Sequence, residues 1–189
     1  MELFRNIRLK KGKAILRKKI RNLKRVKFKG SLDSVKDIGI VWDASGIQDL
    51  SFLSKFQQKM QERNIDVKII GYYPGEELPD RLLAIRYLSC FKRKDLNFFY
   101  IPVSAEAEKF IKTPFDVLID VNLNNLLPLE YITALSVASL KVGLFNENNS
   151  ISYFELMIEA GKKPVLNDYL DNVIYYLEMI NKPAEINHP

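Results

Sequence analysis

The stretch from Phe115 to Phe145 constrains the fold of this chain more than any other part. Phe115-Asp116-Val117-Leu118-Ile119-Asp120-Val121 is a short, nearly continuous apolar run, the pattern of a strand buried on both faces. Pro128 stands where a first-turn proline opens a helix, here to about Leu140. Lys141–Phe145 then reads as strand again. A strand, a crossover helix and a second strand imply parallel pairing and rule out a hairpin.

The same alternation runs through the rest of the chain. Ile38–Trp42 reads as a strand, followed by the turn-like Asp43-Ala44-Ser45-Gly46, and Asp49 or Ser51 caps a helix to about Arg63. Val67–Tyr73 is a second strand, ended by Pro74-Gly75. Asp80–Tyr87 is helical, Asn97–Ile101 a third strand closed by Pro102, and Ala105–Ile111 a short helix. Tyr153–Ile158 follows the turn-rich Asn146–Ser150 as a last strand, and Leu166–Ile180 is a terminal helix. The expected fold is α/β: a single doubly wound, mostly parallel sheet of five to six strands, Rossmann-like or flavodoxin-like, preceded by a basic N-terminal helix. At 189 residues and 47% apolar, the chain can bury such a core without disulfides or metals. The expected division is a basic amphipathic helical arm over 1–30, one α/β domain over 31–183 and a loose tail over 184–189.

Charge is distributed very unevenly. Of 29 Lys and Arg, 13 lie in residues 1–30, against one of the 23 acidic residues, Glu2. That segment carries about +12, and the 16 basic and 22 acidic residues left give the body about −6. The cations are Arg5, Arg8, Lys10, Lys11, Lys13, Arg17, Lys18, Lys19, Arg21, Lys24, Arg25, Lys27 and Lys29. Leu3, Ile7, Leu9, Leu16, Ile20 and Leu23 recur mostly at helical spacings, as a narrow stripe. Gly12 costs about 1 kcal/mol relative to Ala in a helix, so a break or kink is expected there. Over Arg25–Lys29 the pattern changes to alternation. A single cysteine, Cys90, favours a reducing compartment. Charges interrupt the N-terminus too often for a secretory signal, and no apolar run reaches the roughly 20 residues of a spanning helix. Together these place the protein in the cytoplasm.

Five segments resemble a family of uncharacterised bacterial proteins of unknown function: IGIVWDAS (38–45), VKIIGYY (67–73), KRKDLNFF (92–99), FDVLIDVNLNNLLPLEYITALSVASLKVGLF (115–145) and YFELMI (153–158). The likeness covers nearly the whole chain, and it implies no activity and no catalytic residues. More weakly, FDVLID and ALSVASLKVGLF look like the N-terminal Rossmann-like half of heptosyltransferase-type glycosyltransferases. Those enzymes hold the donor nucleotide largely on a second domain, so this likeness implies the fold and not the activity.

Most catalytic chemistries lack their residues. The single histidine, His188, lies in the tail, which removes a histidine-based triad, general base or zinc site. Cys90 has no histidine or second cysteine to activate it. The eight glycines form neither GxGxxG nor GxxxxGK[ST]. Asp43 and Asp120 stand at strand ends, where ligands of open parallel sheets sit. With Ser45, Asn122 and Asn124 they form a candidate site for sugar hydroxyls or a divalent cation such as Mg²⁺. The competing reading is that both aspartates cap turns. No other cofactor is implied.

The arm has three readings. It can hold the protein on RNA or the ribosome, with steeply salt-dependent affinity. It can rest on an anionic membrane surface, although its stripe is thin and lacks Trp. It can pack on the acidic body through Leu16, Ile20 and Leu23, with its lysines solvated. A non-catalytic binding module attached to RNA or the ribosome is the leading expectation. A membrane-surface adaptor and a small sugar- or nucleotide-binding protein or enzyme using Asp43 and Asp120 are the alternatives.

Overall fold

The strand Asp37–Asp43 (β1) is apolar on both faces, and it therefore takes a parallel neighbour on each side. In a computed structural model, which describes residues 2–28, 30–145, 153–159 and 165–179, Ile40 is in register with Ile69 of β2 (Asp66–Tyr73) and with Ile119 of β4 (Val117–Val121). β3 (Leu88–Lys92), β5 (Leu140–Leu144) and β6 (Leu156–Ile158) complete one sheet in the order β3-β2-β1-β4-β5-β6, every pair parallel. This 3-2-1-4-5-6 order is that of dinucleotide-binding sheets and differs from the flavodoxin order.

Helices cover both faces. Ile38, Ile40 and Trp42 of β1 pack with Leu53, Phe56 and Met60 of α2 (Leu50–Gln61) and with the apolar stripe of α6 (Leu166–Met179). A single helical turn, α3 (Asp80–Leu83), adds Leu82 to this side. Val41, Ile70 and Leu118 face the opposite way, onto α4 (Ala105–Lys112) and α5 (Leu127–Leu135). Each fully buried apolar side chain contributes roughly 1.5–3 kcal/mol.

α5 determines where the basic arm goes. All of its residues except Glu130 are buried, so it is apolar around its whole circumference and needs cover on its outer side. α1 (Glu2–Ile20) supplies that cover, with Leu16 in a cluster with Ile101, Leu127, Tyr131, Ala134 and Leu135. The expected break at Gly12 does not occur. A Cβ at this position would sit 2.9 Å from Leu127 Cδ2, besides meeting the Phe99 carbonyl, so the missing side chain of the glycine lets the two layers approach closely. The helical signal carried to Leu23 ends at Ile20, and no strand forms over 25–28, where Val26 is exposed.

Three other expectations shift. Asn97–Ile101 is not a strand: Asn97 Oδ1 accepts the Phe99 and Ile101 amides, and Tyr100 takes a positive φ of 60° in a tight turn. The third strand is Leu88–Lys92, which shortens the expected 80–87 helix to one turn. α5 stops at Leu135, five residues before the expected end at Leu140, because Leu140 already pairs in β5 opposite Val117. Just beyond it, Lys141 is fully buried and donates from Nζ to the Ala134 carbonyl at 2.9 Å. That carbonyl is one of the last four of α5, which no intrahelical amide reaches. Burial pushes the Lys141 amine down to about 7, Arg25 adds to the effect and Glu155 opposes it.

Candidate functional site

Docking on α5 sorts the arm cations into two groups. Arg8 donates from Nε to the Phe98 carbonyl at 2.6 Å, with its guanidinium 4.3 Å from the Phe98 ring centroid and 4.4 Å from that of Tyr100. Lys19 Nζ donates to the Tyr131 hydroxyl at 2.6 Å. Arg25 pairs with Glu155 and donates to the Ala138 and Ser139 carbonyls at 3.1 and 3.3 Å. These three hold the arm to the body.

The second group faces solvent. Lys13 and Arg17 lie close enough to Glu130 to pull its carboxyl down, against a larger upward push from burial. Arg5, Lys10, Lys11, Lys18, Arg21, Lys24 and Lys27 are exposed, and none is in an ion pair among the described residues. Lys11 and Lys18 are seven residues apart, a spacing that returns to one side at 3.6 residues per turn, and Arg21 follows the last residue of α1. This outer side lies opposite Gly12 and Leu16. Lys29 is outside the described residues. At the N-terminal end of α1, Leu3, Phe4 and Ile7 are exposed as well.

The second candidate region is the switch point between β1 and β4. Asp43, the last residue of β1, accepts the Ser45 amide (3.0 Å) and the Ser45 hydroxyl (2.6 Å) on Oδ1, and Asn124 Nδ2 (2.7 Å) on Oδ2. A cleft of about 190 Å³ opens here, lined among others by Trp42, Asp43, Ser45, Gln48, Asp49 and Asn124. Asp49 precedes α2 without making a side-chain cap, and burial and the Asp43 charge raise its pKa. Of the expected residues, then, Asp43, Ser45 and Asn124 come together, while Trp42, Gln48 and Asp49 join them.

Asp120 and Asn122 do not. The register places Asp120 opposite Val41, two residues below Asp43, or about 7 Å along the strand. It points toward α5, like Leu118, and does not line the cleft. Its carboxylate accepts the Asn122 amide at 2.7 Å, and burial raises its pKa to about 6, with Thr133 and Asn122 partly opposing this and Glu130 reinforcing it. The Thr133 hydroxyl makes no hydrogen bond of good geometry among the described residues. Asn122 is occupied in the loop before α5, donating to the Leu126 carbonyl at 3.0 Å and accepting the Leu126 amide at 2.8 Å. The Asp43/Asp120 pair thus does not converge on a common ion. Among the described residues, no three of His, Cys, Asp and Glu gather as a metal site.

Trp42 was legible as a strand residue only. Its indole Nε1 is buried and has no hydrogen-bond partner among the described residues, a state that sequence periodicity does not report. Cys90 is half-buried, its thiol pushed up to about 11 by burial, which makes it a poor nucleophile. His188 lies outside the described residues. Among those residues, no helix is long and apolar enough to cross a membrane.

No curated protein matches the chain. A family profile matches residues 8–180, from the middle of α1 to the end of α6, and by this match the chain belongs to the family of unknown function DUF6913.

Proposed function

We propose that this protein is a non-catalytic α/β binding module that attaches to RNA, free or ribosomal, through the outer side of α1 and the segment that follows it. The observation that carries this reading is the docking of α1. Its apolar stripe is used on α5, its outer side keeps Lys10, Lys11 and Lys18 exposed on a fixed helix, and Arg21 is exposed just past its end. Cations held in place lose less side-chain and backbone freedom on binding than those of a floppy arm. The burial of Leu16 also removes the stripe that an interfacial helix would insert into lipid. In this reading the protein works in the cytoplasm, and the likeness of residues 115–145 to heptosyltransferase-type enzymes is one of fold.

The exposed Leu3, Phe4 and Ile7 favour a second reading, in which the tip of α1 dips into an anionic membrane surface. One experiment separates the two. The full-length protein is titrated with a labelled RNA hairpin across a salt series and, in parallel, floated with phosphatidylcholine vesicles with and without phosphatidylserine. The RNA reading predicts saturable binding whose log–log salt slope is about −0.7 to −0.9 per phosphate contacted. Flotation with the anionic vesicles and no RNA binding at low salt would replace it with the membrane reading.

A further inference from the structure

The turn over Asn97–Ile101, where it meets the first half of α1, carries an inference that rests on the RNA reading and names the part of an RNA that is bound. The basic arm holds two aromatic residues of its own, Phe4 and Phe28. Folding brings two more rings to it. The Arg8 guanidinium lies 4.3 Å from the Phe98 ring centroid and 4.4 Å from that of Tyr100, and Arg8 Nε donates to the Phe98 carbonyl at 2.6 Å. Phe98 is nevertheless 65% exposed. Burial gains little from a ring placed in this way, yet the turn is tightly defined. Tyr100 adopts a φ of 60°, which bulky side chains rarely take, and Asn97 Oδ1 accepts the Phe99 and Ile101 amides. Phe99 meets Phe98 edge-on, with 5.4 Å between the ring centroids. An aromatic ring held out in solvent on a fixed turn, with an arginine against it, has the form of a base-stacking platform.

Cations stand near these rings on both elements. Phe4 and Lys11 lie four residues before and three after Arg8, so both share its side of α1, and Lys11 leads on to Lys18. In the loop that ends in the Phe98 turn, Arg93 and Lys94 are exposed just past β3. Burial raises the Tyr72 pKa, Arg93 opposes it, and Asp43 and Tyr100 reinforce it, so Arg93 and Tyr100 are neighbours of one phenol. Single-stranded RNA answers both features, with phosphates for the cations and an unpaired base for the ring. A duplex answers the first alone, because its base faces are covered by one another. The arginine also separates a base from a lipid tail. Phe98 cannot enter hydrocarbon without drawing in the charge that packs on it and bonds its carbonyl. Under a stacked base that guanidinium stays at the water boundary, where its Nη groups can reach a phosphate.

We propose that Phe98, braced by Arg8, stacks one unpaired base of single-stranded RNA, while Arg8, Lys11 and Arg93 hold the phosphates beside it. The test measures binding of a labelled, unstructured oligouridylate and of a blunt-ended RNA duplex to the full-length protein, as wild type, Phe98→Leu and Phe98→Trp. Phe98→Leu keeps an apolar group against Arg8 and removes the π-face, and it is expected to keep the wild-type melting temperature. It is expected to weaken oligouridylate binding about tenfold, equivalent to about 1.4 kcal/mol, and to leave duplex binding and the salt slope unchanged. Phe98→Trp is expected to bind oligouridylate at least as well as wild type, with its emission quenched by the oligouridylate and not by the duplex. Trp42, the one native tryptophan, is 1% exposed and adds little to that change. The inference is overturned, and the RNA reading kept, if Phe98→Leu weakens neither RNA or both alike, or if Phe98→Trp shows no quenching. Absence of binding to either RNA at low salt overturns both. Flotation with phosphatidylserine vesicles that is lost in Phe98→Leu, without oligouridylate binding, would assign the ring to a membrane surface instead.

Discussion

Gly12 of α1 and Leu127 of α5 lie so close that a Cβ on the glycine would be 2.9 Å from Leu127 Cδ2. That contact makes the basic N-terminal helix a packed layer of the protein and fixes which of its cations face outward. In an exposed helix Gly→Ala stabilises by up to about 1 kcal/mol. Here the methyl group must displace either α1 or the Phe99 carbonyl, so Gly12→Ala is expected to destabilise by about 1–3 kcal/mol. Thermal or urea unfolding checks the sign, and a rise in stability would mean that α1 is not docked at this point.

The buried Asp120 gives a pH signature. Its carboxyl rises from 3.8 to about 6 in the folded protein, chiefly through burial. Between these values the folded state holds a proton that the unfolded state has released, so stability falls as pH rises from about 4 to 6 and then levels off. Asp120→Asn keeps an acceptor for the Asn122 amide and cannot ionise. It is expected to flatten this part of the curve and to be more stable than wild type at pH 7 by roughly 1–3 kcal/mol. Paired urea titrations at pH 4.5 and 7 measure the difference, and equal differences at both pH values would contradict it.

Lys141 acts with the opposite sign. Its amine is pushed from 10.5 down to about 7, mainly by burial. Above that pH the folded state has lost a proton that the unfolded chain still carries, so stability gains about 2 kcal/mol between pH 7 and 9. Above about pH 9 the raised thiol of Cys90 begins to oppose the gain. Lys141→Met is expected to remove the rise between pH 7 and 9 while leaving the Asp120 limb in place. A variant whose stability still climbs with pH would assign the effect to another group.

The strands that sequence revealed most fully are those at the centre of the sheet, and of the two edge strands only β6 was read, as 153–158 where Leu156–Ile158 forms. Ile38–Trp42 and Phe115–Val121 are covered on both faces, and such positions demand unbroken apolar runs. β3 is an edge strand with Ser89 exposed and Lys92 at its end, so Leu88–Lys92 carries little signal. The aromatic run at 97–101 imitates a strand because Phe99, Tyr100 and Ile101 pack against α1, a contact that no local pattern encodes. The docking of α1 did have a signal, which is the absence of any polar face on α5 apart from Glu130. At the site, strand ends were legible and depth was not. Asp43 and Asp120 both stand near carboxyl ends, but register sets one at the cleft and the other two residues lower, under α5. The buried indole N–H of Trp42, without a partner among the described residues, depends on its neighbours in space, which sequence does not supply.

The measurement closest to the central claim compares wild type with the fourfold variant Lys10→Glu, Lys11→Glu, Lys18→Glu and Arg21→Glu, in RNA affinity and in melting behaviour together. These side chains are exposed and outside every ion pair among the described residues, so stability is expected to stay within about 0.5 kcal/mol per site. RNA binding is expected to be lost at physiological salt, and the salt slope to shrink by about 0.7–0.9 for each phosphate contact removed. Arg25→Ala, which breaks the Glu155 pair and two carbonyl contacts, should do the reverse, lowering stability by about 1–3 kcal/mol with little effect on RNA affinity. Unchanged RNA affinity in the fourfold variant, with an unchanged fold, would contradict the account.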